Sequence, residues 1–154
     1  MVKEKEWVEF EIMFPDVLPD KVEKFSQLIA EKYQLKTIKF NSKEEILPLV
    51  EPMFKLLDET YKNLSTYTPI TDEQILHYKE KYFGFIDKDY IICIADKDDK
   101  LISFAITMPS YSRALQKANG SLLPFGWYHL LNAGRKNERA NFYLIGIHPE
   151  YQRR

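Results

Sequence analysis

The stretch that decides the fold is Phe142-Tyr-Leu-Ile-Gly-Ile-His-Pro-Glu-Tyr-Gln-Arg-Arg154, where an apolar run passes abruptly into a polar one. Residues 142–147 are apolar at successive positions, which is typical of a strand covered on both faces of a sheet. Pro149 has no backbone N–H and cannot continue the hydrogen-bond ladder of such a strand. We therefore predict a buried strand that ends at a turn with a basic exit.

The same residues resemble a known sequence motif. Ile147-His-Pro-Glu-Tyr-Gln152-Arg-Arg154 is similar to the first half of the acyl-CoA-binding motif of the GNAT family of N-acetyltransferases. That motif has a hydrophobic residue, four spacers, Gln or Arg, and then x-x-Gly-x-Gly or Ala. Ile147 matches the hydrophobic position and Gln152 the Gln/Arg position, whereas the glycines would fall beyond Arg154. The resemblance covers residues 35–154 and is to the middle part of larger bacterial proteins of this family.

The resemblance implies both a fold and a reaction. The fold is a mixed, largely antiparallel sheet flanked by helices, with its C-terminal part missing from this chain. The co-substrate is acetyl-CoA or another acyl-CoA, and the acceptor is a primary amine on a small molecule or peptide. In the family, backbone N–H groups of the strand stabilise the oxyanion, and the loop binds pyrophosphate at a helix N-terminus. The implied cofactor-binding residues are Ile145, Gly146, Ile147, Gln152, Arg153 and Arg154.

The residues themselves leave several alternatives open. A glycine inside a strand, such as Gly146, also marks a bulge or a close backbone approach. The end at Gln152-Arg153-Arg154 also fits a solvated basic tail. His148 either meets a ligand at the strand end or is an exposed loop histidine. No catalytic acid or base is assigned.

The rest of the chain predicts an α+β fold. Alternating apolar residues at 8–14 predict a strand, and Asp20 with Glu23 has capping-box spacing for a helix. These form an N-terminal strand-helix extension, 1–34, before the GNAT-like domain, 35–154. The next predictions are a strand at 35–40, helices within 42–64 interrupted by Pro48 and Pro52, and a helix that begins with a capping box at Thr71 and Gln74 and ends at Gly84. Strands at 90–95 and 101–108 are predicted to form a hairpin around residues 96–100, followed by helices at 112–119, ended by Gly120, and at 124–133.

Composition narrows the class of protein. The chain has 154 residues and a formal net charge of −1, so it lacks the basic excess of a nucleic-acid binder. It contains no signal-like segment and no apolar stretch long enough to cross a bilayer, so we expect a cytoplasmic protein without a membrane partner. Its one cysteine, Cys93, lies in an apolar run and predicts a buried thiol. Three scattered histidines give no metal-ligand spacing, so no metal is expected.

The insertion between Met108 and Asn141 is the predicted source of acceptor specificity. Its aromatic residues either line an apolar slot or form a small core, and they are Tyr111, Phe125, Trp127 and Tyr128. Three polar residues of the same insertion are candidates to orient an acceptor, namely Ser110, Arg113 and Asn132.

Two functions follow from these expectations. The first is a GNAT-like N-acyltransferase, incomplete and weakly active or inactive as this chain, since the glycine half of its motif is absent. The alternative is a non-catalytic binding or assembly module that forms a homodimer through an exposed sheet edge. A ligand-binding domain of unrelated mixed fold is a third hypothesis, and it requires that the final strand does not lie beside the strand at 101–108.

Overall fold

The computed structural model describes residues 6, 8–82, 87–136 and 138–152, and it confirms an α+β fold. The described helices are α1 (Asp20–Tyr33), α2 (Leu47–Tyr61), α3 (Asp72–Tyr82), α4 (Ser112–Ala118) and α5 (Gly126–Arg135). The described strands are β1 (Lys36–Ile38), β2 (Ile91–Ala95), β3 (Leu101–Pro109) and β4 (Ala140–Ile147). None of the described helices is long and apolar enough to cross a bilayer.

The four strands form one antiparallel sheet in the order β1-β2-β3-β4. β2 and β3 form the predicted hairpin around residues 96–100. β4 pairs with β3 from Ser103↔Ile147 to Pro109↔Ala140, which removes the condition for the unrelated-fold hypothesis. Among the described strands none pairs with the other side of β4, so this edge of the sheet has no strand partner in the described part of the chain.

The core lies between α2 and one face of the sheet. The apolar residues of α2 recur at helical spacing and face the strands, and they include Val50, Met53 and Leu57. The sheet contributes Cys93 and Phe104, a cross-strand pair of β2 and β3. Phe104 is only 2% exposed, so the hairpin and α2 share one hydrophobic cluster.

The other face of the sheet is open, and the prediction that β4 is covered on both faces is wrong. The strand register places Ile92, Ala105 and Ile145 side by side on that face. Ile92 is 56% exposed, and residues 140–145 of β4 are all exposed. The apolar composition of β4 indicated a surface that avoids water, but composition cannot say which element covers it.

The predicted strand at 8–14 is also wrong. These residues form no strand, and Phe10 is 82% exposed. Alternation produces an apolar face, but a strand also needs a neighbour for its backbone groups. The helix that follows is confirmed, although Pro19 rather than Asp20 occupies the N-cap position and no residue of α1 is buried.

The capping and proline predictions have mixed outcomes. Thr71 and Gln74 form the predicted capping box, with the Gln74 N–H donating to Thr71 Oγ1 at 3.3 Å. Pro48 lies in the first turn of α2, after a 3₁₀ helix at Lys43–Ile46, but Pro52 lies within α2 and does not interrupt it. The predicted end of the third helix at Gly84 lies outside the described residues.

The helices of the insertion begin and end close to their predicted positions. α4 begins at Ser112, and it ends with Asn119 and Gly120 at positive φ, a conformation that favours these residues. α5 begins at Gly126 rather than Pro124, and Gly134 lies inside it.

Cys93 provides a test of the core. Burial raises the pKa of its thiol to about 12, and the thiolate is the form that attacks disulfide reagents. At pH 8 a thiol with that pKa is thiolate in about one molecule in ten thousand. We predict that Cys93 of the native protein reacts with a chromogenic disulfide reagent only as fast as the fold opens and exposes the thiol.

The matched control is the double variant Ile92→Cys, Cys93→Ala, which moves the thiol one residue along β2 to the open face. This thiol should react at least ~100-fold faster than Cys93 because it is both exposed and more acidic. Equal rates for the two thiols would show that the helices do not cover this face of the sheet.

Candidate functional site

The backbone of β4 presents some of its polar groups away from the sheet. The His148 N–H donates to the Ile102 carbonyl at 2.8 Å, so these two residues form a hydrogen-bonded pair just beyond β4. Bonded and non-bonded pairs alternate along an antiparallel ladder, so Gly146 also bonds to β3. The N–H and C=O groups of Ile145 and Ile147 therefore point outward.

Side chains already occupy the outward carbonyl groups. Tyr61 Oη donates to the Ile145 carbonyl at 2.9 Å. Gln152 Nε2 donates to the Ile147 carbonyl at 2.7 Å, and Thr60 Oγ1 lies 3.1 Å from the same oxygen. Within the described part of the chain, no hydrogen bond reaches the outward N–H groups of Ile145 and Ile147. This end of the edge therefore offers two donors that no described group uses, beside carbonyls that already accept hydrogen bonds.

The last turn of α2 is held over the strand by a second tyrosine. The Tyr67 ring lies 5.9 Å from that of Tyr61, and Tyr67 Oη donates to Asp58 on α2. Burial, and then the hydrogen bond to the Asp58 carboxylate, raises the pKa of Tyr67. Tyr67 therefore remains a hydrogen-bond donor at neutral pH and fixes the segment after α2 beside Tyr61.

Gly146 is explained by a close approach to Phe104. A Cβ atom at Gly146 would lie 2.6 Å from Cε1 of the Phe104 ring, well inside van der Waals contact. Its N–H faces β3, so the outward donors among the predicted site residues are those of Ile145 and Ile147. Of the two interpretations of this glycine, the structure supports the close backbone approach.

The strand ends at the predicted turn. Residues Pro149–Tyr151 form one turn of 3₁₀ helix, and the Tyr151 N–H donates to the His148 carbonyl at 2.8 Å. Gln152 folds back from this turn onto Ile147. Arg153 and Arg154 lie outside the described residues.

His148 is not the exposed loop histidine that one alternative predicted, because its side chain is only 15% exposed. Its Nε2 lies 3.3 Å from Oε2 of Glu59, and its Nδ1 faces the Glu150 N–H at 3.4 Å. With Nδ1 accepting, Nε2 carries the proton and donates to Glu59. Both ring nitrogens thus have partners within the protein, which fixes the orientation of the imidazole at the end of β4.

The predicted polar residues of the insertion lie together. Ser110, Arg113 and Asn132 all line a cleft of about 400 Å³ between α4, α5 and the start of β4. The rings of Phe125, Trp127 and Tyr128 are exposed, so they form no buried core, and they do not line this cleft. The aromatic slot stays a prediction. Tyr111 instead contacts Gly134, where a Cβ atom would lie 3.2 Å from its hydroxyl.

Sequence reasoning missed three cationic residues of the cleft, Lys117, Lys136 and Arg139. It also missed Glu59, the partner of His148. Arg113 and Lys117 are spaced i, i+4 on α4, a local signal that two cations share a helix face. No local signal links His148 to Glu59, because they belong to elements far apart in sequence. Among the described residues, no group of three or more His, Cys, Asp or Glu side chains is arranged to hold a metal ion.

Comparison with known proteins gives one remote similarity. Protein YghO of Escherichia coli (strain K12) is 24% identical over 120 residues, which cover 75% of this chain and 30% of YghO. The chain thus spans less than a third of the length of that relative. No protein-family model matches the chain, and no solved structure matches it significantly.

We predict that Gly146→Ala destabilises the fold by about 1–3 kcal/mol, because the new methyl group overlaps the Phe104 ring. Urea unfolding measures this loss. In a Phe104→Leu background the added cost of Gly146→Ala should be smaller, since leucine lacks the Cε1 and Cζ atoms. Asn141→Ala, an exposed change on the same strand, should remain within about 0.5 kcal/mol of the parent. An equal cost of Gly146→Ala in both backgrounds would contradict the close approach.

Proposed function

We propose that this chain carries the acyl-CoA-binding strand of a GNAT-like N-acyltransferase that transfers an acetyl group from acetyl-CoA to a primary amine. One observation carries the proposal: the outward N–H groups of Ile145 and Ile147 lie on an unpaired strand edge that ends in the Gln152 turn. The resemblance of residues 147–154 to the family motif supports the same function.

The proposed acyl transfer needs hydrogen-bond donors to a carbonyl oxygen, and the edge of β4 provides such N–H groups. The neutral amine attacks the thioester carbonyl carbon, a C–N bond forms, and the carbonyl oxygen becomes an oxyanion. Collapse of this intermediate breaks the C–S bond, the thiolate of coenzyme A leaves, and the amine proton passes to the thiolate or to solvent. A fixed N–H aimed at the developing oxyanion lowers the barrier of such a step.

The edge also suits the pantetheine arm of coenzyme A. Ile145 and Ile147 are two residues apart, so their outward N–H groups are about 7 Å apart along the strand. The arm carries two amide carbonyls and, when acylated, a thioester carbonyl, all of which are acceptors. An edge whose own carbonyls are occupied by Tyr61, Thr60 and Gln152 selects for acceptors over donors.

Pyrophosphate binding is the weaker part of the site. Gln152 is hydrogen-bonded to Ile147, and no Gly-x-Gly or Gly-x-Ala follows it in this sequence. Most of the backbone donors that hold a pyrophosphate in such a loop are therefore absent from residues 1–154. We propose that this chain binds acetyl-CoA weakly, through the arm rather than the diphosphate.

Titration with acetyl-CoA, followed by amide NMR spectra, tests the proposal. We predict saturable shifts of the Ile145 and Ile147 amide signals with a Kd in the millimolar range. Adenosine 3′,5′-bisphosphate, which lacks the arm, should leave both signals in place. Saturation without a shift at either amide would refute the strand-edge site, and micromolar affinity would refute the weak diphosphate contact.

A proline variant sharpens this test. Ile145→Pro removes one outward N–H without removing a hydrogen bond to β3, a position where strands tolerate proline. It should weaken acetyl-CoA binding about two- to tenfold, the effect expected for one lost hydrogen bond. Phe142→Pro is the matched control, since the Ser110 N–H bond to the Arg139 carbonyl places Phe142 at an outward position as well. Equal weakening by both variants would point to a general disturbance of β4.

The alternative, a non-catalytic assembly module, is favoured by a separate observation. Phe142 and Tyr143 are 58% and 66% exposed on β4, whose outer edge has no partner among the described strands. An exposed apolar strand edge of this kind is a surface with which a second chain can pair.

Sedimentation equilibrium over a range of concentrations separates the two functions. A dimer at all concentrations without acetyltransferase turnover supports the module, and a concentration-independent monomer with turnover supports the enzyme. If β4 forms the dimer, Phe142→Lys should convert it to a monomer, because edge lysines block strand pairing. Lys24→Gln, a change on α1, should leave the mass unchanged.

A further inference from the structure

The cleft between α4, α5 and the start of β4 is a second site, separate from the edge at Ile145 and Ile147. Its volume of about 400 Å³ is in the usual range for small-molecule pockets. Ala114, which is buried, and Ala133 lie between the helices and allow them to approach closely. Arg139, which lines the cleft, and Ile145 are six residues apart, or about 20 Å along an extended chain.

The cleft is strongly basic, although the chain as a whole is not. Its lining includes four permanently cationic side chains, Arg113, Lys117, Lys136 and Arg139, and a single carboxylate, Glu138. The whole chain has a net charge of −1. Ser110 and Asn132 add neutral hydrogen-bond donors to the same lining. The positive charge is therefore concentrated at one place on the surface.

Helix stability explains only part of this concentration. Lys117 lies in the last turn of α4 and Lys136 just after α5, where cations stabilise the helix dipole. Arg139 lies 3.2 Å from the Glu11 carboxylate. Arg113, however, is the second residue of α4, where the dipole disfavours a positive charge. Its position is accounted for if the cleft receives an anion.

We infer that this cleft binds the oxyanion group, phosphate or carboxylate, of a small molecule. Arg113 presents a planar guanidinium that bonds two oxygens of such a group at once, and Lys117 contributes a point charge one helical turn away. Ser110 and Asn132 donate to the remaining oxygens. The side chains lie near the surface, so the affinity is modest and falls as salt rises.

Titrations with inorganic phosphate and with acetate at low ionic strength test the inference and identify the group. Amide NMR spectra should show saturable shifts at Ser110, Arg113 and Asn132. Tighter binding of phosphate assigns the ligand to phosphate esters, and tighter binding of acetate assigns it to carboxylates. Sodium chloride at matched ionic strength should produce no saturable shift at these residues. Saturable shifts with chloride equal to those with phosphate or acetate would overturn the proposal. Shifts confined to residues outside the cleft would also overturn it.

Charge-removing variants provide the matched comparison. Arg113→Gln should lower the affinity for the preferred anion about two- to fivefold, as expected for an exposed ion pair. Lys24→Gln removes the same charge from α1 and should leave the affinity unchanged. Equal effects of the two variants would show that only net charge matters and would end the proposal. The anion titration does not use acetyl-CoA. The cleft proposal and the proposed acetyl-CoA contact at Ile145 and Ile147 can therefore fail separately.

Discussion

The packing of Phe104 against the bare Cα of Gly146 is the contact on which the rest of the structure depends. The Phe104 ring joins the hydrophobic cluster of α2 on one side and occupies the space of a missing side chain of β4 on the other. It thereby sets how closely the last strand approaches the core. The register that results points the backbone of Ile145 and Ile147 outward, so the candidate site follows from a packing constraint.

Helix α2 stabilises the core and also divides the strand edge. Its apolar stripe covers β2 and β3, while Thr60 and Tyr61 in its last turn donate to carbonyls of β4. A strand that adds to an edge requires both donors and acceptors, and the outward carbonyls of Ile145 and Ile147 already accept hydrogen bonds from side chains. No hydrogen bond from α2 reaches the carbonyls of residues 140–144. The proposed acyl-CoA contact and the proposed dimer edge therefore lie on different halves of one strand.

Local sequence signals predicted local structure well. The hairpin around residues 96–100, the capping box of Thr71 and the stop at Asn119-Gly120 each depend on a few neighbouring residues, and the structure has all three. The failures concern contacts with distant parts of the chain. The apolar alternation at 8–14 has no strand to pair with, and the apolar run of β4 is covered only at its C-terminal end, at Gly146 and Ile147. Hydrophobic pattern shows which surface avoids water, whereas tertiary structure decides what covers it.

The same contrast holds for the candidate sites: residues of one segment could be grouped from the sequence, whereas contacts between distant segments could not be predicted. Ser110, Arg113 and Asn132 were expected to act together because they belong to one insertion, and they do line one cleft. The hydroxyl of Tyr61 meets the Ile145 carbonyl only because a helix crosses a strand 84 positions away in the chain. That crossing decides whether the edge presents acceptors or donors, and hence which ligand it suits. The resemblance to the motif at the strand end therefore suggests a class of ligand for the proposal. The hydrogen-bonding groups that the edge of β4 presents are set by α2, which lies outside the motif.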